Sequence, residues 1–258
     1  MSIMNGMLSS RQEKLLNIVV DQYVKTAEPV SSKTLVKSRF FNLSSATLRN
    51  EMHELEEDGY LVQLHTSGGR VPTDKAYRYF VNQLLNKKPT EFKPSKKDIK
   101  KISQVLSEAG NDSRAMNKAV ASVLSECTGN LVITGIGRDT EFFKQGLVRL
   151  FKMPEFRESD VLFQLAGFFE GFDLMYQLIE REFIHTLGIP SGLPIHILIG
   201  QENPFKQIHR ETIMCAKYVL PGDIVGSLTL IGPTRMDYEN NIALIKYTAD
   251  QLQKFNKI

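Results

Sequence analysis

Two neighbouring side chains carry the most specific chemistry in the chain. Arg49 presents a planar fork of donors, and Asn50 presents a donor beside an acceptor. An Arg matches the O6/N7 edge of guanine, and an Asn the N6/N7 edge of adenine, each through two parallel hydrogen bonds. Short hydroxyls, Ser44, Ser45 and Thr47, lie just before them, and His53 follows on the same side of a helical projection. A second set surrounds Gly68-Gly69: His65, Thr66, Ser67 and Arg70. Hydroxyls bond phosphate oxygens, and an Arg on a glycine-rich tip meets phosphate or a narrow minor groove. A third set, Ser31, Ser32 and Lys33, opens a short helical stretch suited to holding phosphates.

Such residues read a duplex only if helices and a hairpin position them. Ser10-Arg11-Gln12-Glu13 has the form of a capping box. Leu15, Leu16, Ile18, Val19 and Tyr23 then form an apolar stripe, so helix 1 extends to about Lys25. Thr26 to Pro29 breaks it, and Ser31 or Ser32 caps helix 2 through about Lys37. Ser44 or Ser45 caps helix 3, which Asp58-Gly59 ends. On that helix Leu48, Met52 and Leu55 face inward, while Ala46, Asn50 and His53 face out. In a helix-turn-helix, the N-terminal residues of the second helix meet base edges. Tyr60 to Leu64 reads as a strand, Gly68-Gly69 as a tight turn with positive φ, and Val71-Pro72 as the returning strand. Thr73-Asp74 caps a further helix to about Leu85, with Tyr77, Phe80, Val81 and Leu84 inward. The pattern is a winged helix-turn-helix over residues 1–88.

The charge distribution suits that assignment. Net charge over the 258 residues is +3, and residues 1–88 hold 12 Lys and Arg against 9 Asp and Glu. Two cysteines, Cys127 and Cys215, form no Cys-x-x-Cys pair and give no disulfide framework. The opening MSIMNGMLSSRQ lacks a basic-then-apolar signal pattern. Val161 to Ile179 is apolar but interrupted by Gln164, Glu170, Asp173 and Gln177, unlike a membrane span. A cytoplasmic protein without membrane contact is expected.

Residues 89–112 form a charged linker with two prolines, followed by a helix at about Lys96–Ala109. Residues 113–258 read as an α+β domain. A helix spans Ser113–Cys127, and strands are expected at Leu131–Gly137, Ile195–Ile199, Thr212–Val219 and Val225–Ile231. Helices are expected over Thr140–Phe151, Ser159–His185 and Tyr238–Lys257. Short connections between the last strands imply an antiparallel sheet with helices on one face. In Ser159–His185 the residues Leu162, Leu165, Ala166, Phe169, Phe172, Met175, Tyr176 and Ile179 form a broad apolar band. Val161, Phe168 and Leu178 widen it beyond one core face, which suggests a dimer contact.

Catalytic signatures do not emerge. Gly135-Ile136-Gly137 lacks the third glycine of a dinucleotide loop, since Thr140 stands there. His185, His196, His209 and Cys215 do not have the spacing of zinc ligands. No Gly-x-Ser-x-Gly elbow occurs. Neither catalytic residues, a metal nor a cofactor is expected, and the chain does not read as an enzyme. Arg235, in the loop Gly232–Met236, reads as a residue that fixes that loop or an interface.

Four phrases carry a resemblance. SSRQEKLLNIVVDQYVKTAEPVSSKTL, SSATLRNEMHELEEDGYLVQLHTSGGRVPTDKAYRYFVNQL, IGQENPF and GSLTLIGPTRMDYENNIALIKY resemble the bacterial heat-inducible transcription repressor family, HrcA. The resemblance implies a cytoplasmic homodimer with a winged helix-turn-helix followed by a GAF-like domain. It implies repression of chaperone operons through an inverted repeat in double-stranded DNA, with the GroEL chaperonin as modulator. Family members are typically longer. Here PEFRESDVL follows soon after the helix ending near Cys127, so early strands of the GAF-like domain and its inserted dimerising subdomain look missing or reduced. The expectation is a shortened member that represses by excluding polymerase. The alternative is a transcriptional sensor with a small-molecule pocket in its C-terminal domain.

Overall fold

The computed structural model describes residues 8–38, 40–64, 68–86, 93–136, 142–156, 158–171 and 195–255. The chain divides into two compact units, Met1–Lys87 and Lys88–Ile258.

Capping hydroxyls start each of the first three helices. Helix α1 spans Ser10–Thr26, α2 Ser32–Lys37 and α3 Ser45–Glu57, with Ser9, Ser31 and Ser44 as their N-caps. The first capping box lies one residue earlier than the sequence suggests. Ser9 accepts from the Gln12 amide, and the Gln12 side chain accepts from the Ser9 amide at 3.0 Å. Glu13, the expected partner, instead accepts from the Tyr79 hydroxyl. Leu15, Leu16, Val19 and Val20 of α1, Leu35 of α2, and Leu48, Met52 and Leu55 of α3 are buried. Strands β1 (Leu61–Gln63) and β2 (Arg70–Pro72) pair antiparallel, with Gln63 opposite Arg70. Helix α4 (Asp74–Asn86) closes the unit through Ala76, Tyr77, Val81 and Leu84, while Phe80 is only half-buried.

One feature of the hairpin differs from expectation. Gly69 is not among the described glycines with positive φ. What it supplies is room. Val30, between α1 and α2, bridges Arg70 through N–H···O bonds of 2.9 and 2.8 Å. A Cβ on Gly69 would stand 2.5 Å from the Val30 carbonyl oxygen.

In the second unit, α5 (Lys96–Ala109) and α6 (Ser113–Thr128) lead into a five-stranded sheet. Its strands are β3 (Leu131–Ile136), β4 (Phe142–Gln145), β5 (His196–Ile199), β6 (Glu211–Leu220) and β7 (Ile224–Pro233). Their order is β4-β3-β7-β6-β5, and every pairing is antiparallel. The remaining helices are α7 (Leu147–Phe151), α8 (Ser159–Glu170) and α9 (Tyr238–Phe255). The fold is mixed α+β.

Three expectations are corrected here. Thr140–Phe151 is not one helix: Phe142–Gln145 is an edge strand, and Gly146, at φ 101°, turns the chain into α7. Nor are helices confined to one face. Helices α6 and α9 lie on the face of Thr134 and Thr212, where Thr134 Oγ1 donates to the Asn117 carbonyl at 3.0 Å and the Thr212 and Tyr238 hydroxyls meet at 2.8 Å. On the other face Leu131, Ile133, Ile213, Cys215 and Ile231 pack with Leu150 of α7 and Val161, Leu165 and Phe168 of α8. Central strands apolar on both sides require cover on both sides. Helix α8 ends at Glu170, so the expected continuation to His185, with Phe172, Met175, Tyr176, Leu178 and Ile179, lies outside the described residues. Val161 and Phe168, expected to widen an outward band, belong to the core, whereas Leu162 and Phe163 are exposed.

Arg235 does fix its loop. Its guanidinium pairs with Glu155 in the turn Pro154–Phe156, with Nη2–Oε2 at 3.3 Å. Among the described residues, no helix is long and apolar enough to cross a membrane.

Candidate nucleic-acid interface

Helix α3 is seated by its buried side and by polar ties to α1. Arg11 of α1 pairs with Glu51, whose carboxylate is almost wholly buried, and Gln12 donates to Glu54 at 2.9 Å. These contacts turn two of the helix's carboxylates toward α1. On the outer side, Arg49 and Asn50 are exposed, and no group among the described residues engages them. The Ser44 hydroxyl accepts from the Thr47 amide at 3.1 Å and meets the Thr47 hydroxyl at 2.9 Å. The Ser45 hydroxyl lies 3.0 Å from that of Ser32, which ties the starts of α2 and α3 together. Lys33 is exposed one residue further on. Eight of the expected residues, Ser31, Ser32, Lys33, Ser44, Ser45, Thr47, Arg49 and Asn50, therefore sit at two adjoining helix starts or just after them.

His53 is exposed on α3 but stands among carboxylates, 3.7 Å from Glu56 and 3.8 Å from Glu57. Its surroundings are acidic. His65, Thr66 and Ser67 lie outside the described residues. Arg70 is displaced from its expected place. It belongs to β2 rather than to the tip, its side chain is 11% exposed, and its Nε donates to Glu56 at 2.9 Å. The backbone pairing with Gln63 and Val30 draws it inward, so it cannot reach for phosphate without breaking that ion pair.

Sequence reading missed Glu56 and Lys75. Partial burial pushes the Glu56 carboxyl up, but the Arg70 guanidinium, the Gln63 amide and His53 outweigh it and hold the group below the ordinary carboxylate range. Lys75 donates to the Asp58 carbonyl at 2.7 Å and lies over the Tyr60 ring at 4.3 Å, covering the α3–β1 corner. Behind the site, burial and the neighbouring Glu13 push the Tyr79 phenol up to about 12. Helix periodicity pairs Glu56 with His53, three residues earlier on α3, but not with Gln63 or Arg70, which the hairpin's fold-back brings in.

A solved structure described only as that of a hypothetical protein at 2.2 Å resolution has the same fold, with a TM-score of 0.75 at 19% identity over 97% of this chain and 99% of that one. Among curated proteins, the heat-inducible transcription repressor HrcA of Natranaerobius thermophilus is 26% identical over 341 aligned positions, 95% of this chain and 96% of the relative. The repressors of the same name from Brevibacillus brevis and Halalkalibacterium halodurans are 26% and 27% identical over similar spans. An alignment of 341 positions exceeds the 258 residues of this chain, so the relative carries segments that this chain lacks. The model of the HrcA protein C terminal domain matches residues 30–242. With most of its length so matched, the chain belongs to the HrcA family.

Proposed function

We propose that the protein is a DNA-binding transcriptional repressor of heat-shock genes, in which the first unit is a winged helix-turn-helix and the second a reduced GAF-like domain. The observation that carries the reading is the exposed Arg49–Asn50 pair on a helix capped by Ser44, backed by α1 and flanked by the β1–β2 hairpin. Arg49 and Asn50 read base edges in the major groove. Ser31, Ser32, Lys33, Ser44, Ser45 and Thr47 hold phosphates beside them, and His65, Thr66 and Ser67 serve the wing. Arg70 supports the wing from within. Occupancy of the operator excludes polymerase, and no cofactor is required.

Arg49→Ala is expected to relax preference at one base pair per half-site and to cost about 1–3 kcal/mol there. A binding-site selection with the variant and the parent measures this. An identical preference at every position rejects the role of Arg49, and a parent that selects no duplex rejects the reading as a whole.

A homodimer on an inverted repeat completes the proposal, since a two-fold dimer places two recognition helices on successive turns of one duplex face. Support comes from α8, where Leu162 is 37% and Phe163 74% exposed beside a buried core side. Sedimentation of the full chain is expected to give a dimer that Phe163→Glu splits without unfolding. A monomer at micromolar concentration removes this part. The GroEL chaperonin enters by family resemblance, as a modulator to be added to the same DNA-binding assay. A cavity of about 410 Å³ lined by Lys144, Arg149, Leu131 and Phe169 supports a second reading, a repressor whose affinity follows a small ligand. Melting temperatures across a metabolite panel test it.

A further inference from the structure

Glu56 stands at the C-terminal end of α3 with both carboxylate oxygens engaged by the hairpin. Its Oε1 accepts from the Gln63 amide of β1 at 3.1 Å, and its Oε2 accepts from Arg70 Nε of β2 at 2.9 Å. Gln63 and Arg70 face each other in the hairpin register. The Arg70 backbone in turn pairs with Val30, one residue before the α2 cap Ser31. A continuous chain of contacts thus runs from α3 through Glu56 and Arg70 to the start of α2.

The hairpin has need of such a tie. Each strand holds only three residues, and an isolated two-stranded hairpin is marginal in water. Left to its own pairing, it would not keep a fixed direction relative to α3. A carboxylate near a surface that binds a polyanion also costs affinity by repulsion, which falls slowly with distance where water is excluded. Its placement is explained if it orders a neighbouring element that binding would otherwise have to order.

We propose that Glu56 is a positioning residue that clamps both strands of the wing to the recognition helix, so that the two meet a duplex as one preformed surface. The proposal rests on the DNA-binding reading above. It assigns Glu56 no contact with DNA. It also assigns Arg70 an internal role, as the cation that the clamp closes on.

Glu56→Gln keeps the side chain's volume and removes its charge. In the free protein, amide exchange at Gln63 and Arg70 is expected to quicken roughly tenfold, as the loss of a charge-assisted hydrogen bond implies. Operator affinity is expected to fall by a similar factor, while unfolding stays cooperative. Glu56→Gln combined with Arg70→Gln should be little worse than either alone, because both remove one contact. Glu56→Asp should recover part of the affinity. A bystander carboxylate behaves oppositely: exchange is unchanged and binding tightens, because a negative charge has gone, and that result overturns the clamp. If exchange quickens but the parent selects no duplex sequence, the DNA-binding reading fails and the positioning role falls with it. If the parent selects a duplex and exchange is unchanged, the clamp alone is refuted.

Discussion

Gly69→Ala is expected to unfasten the hairpin from the α1–α2 turn. The added Cβ would lie 2.5 Å from the Val30 carbonyl oxygen, 2.6 Å from its carbon and 2.7 Å from the Pro29 carbonyl carbon. All three are backbone atoms, which cannot rotate aside as a flexible side chain would. The two strands must separate, and the pair of Val30–Arg70 hydrogen bonds is lost. At about 1 kcal/mol each, with the strain of separation added, the change costs roughly 2–3 kcal/mol. That is a large share of the stability of a small unit. Thermal unfolding should show a lower transition for the first unit, and fluorescence anisotropy should show weaker operator binding. A variant that melts with the parent and protects the Arg70 amide equally would show that the hairpin yields without cost.

Glu211→Gln is expected to stabilise the protein above neutral pH and to do little near pH 5. Glu211 is 1% exposed at the start of β6. Burial pushes its carboxyl up to about 7, and the Arg210 amide and charge only partly oppose it. The folded value lies above the ordinary carboxylate value of 4.5, so the native state holds the proton more tightly than the unfolded chain. The contribution is therefore fully present below the unfolded value and is lost as pH rises through about 7. A shift of that size corresponds to about 3 kcal/mol between the two limits. Gln is neutral throughout, so the variant lacks this slope. Denaturant unfolding of both proteins from about pH 5 to pH 8 gives curves that diverge as pH rises. Parallel curves would mean that the Glu211 carboxylate is solvated after all.

Much of this architecture was legible in local chemistry. Serines before apolar stripes marked the starts of α2 and α3, and continuous apolar runs marked β6 and β7. What escaped depends on partners distant in sequence. Over Thr140–Phe151, expected as one helix, Phe143, Leu147, Leu150 and Phe151 recur at helical spacing, and only pairing with β3 makes Phe142–Gln145 a strand. The assignment of Arg70 to the tip followed from its neighbours Gly68 and Gly69. Its real place follows from Glu56 and Val30, which the fold-back brings against it. Val161 and Phe168 showed the same limit of local reading: periodicity fixes a helix's apolar side but not how many surfaces bury it.

The strand order has a consequence for the order of events during synthesis. β3 is sandwiched between β4 and β7, and Leu131 finds its partner in Ile231. β3 and β4 can pair as soon as they leave the ribosome, but the inner edge of β3 must wait for the whole intervening chain. Helices α1 to α4 need no such delay, because the partners that tie them, such as Glu13 with Tyr79 and Gln12 with Glu54, lie within the first unit and are made early. The first unit can therefore be native while the second still presents an open, apolar strand edge. Pairing across so long a loop is slow, and such edges are prone to associate with one another. Closure of β3 on β7 then competes with association of the waiting edge.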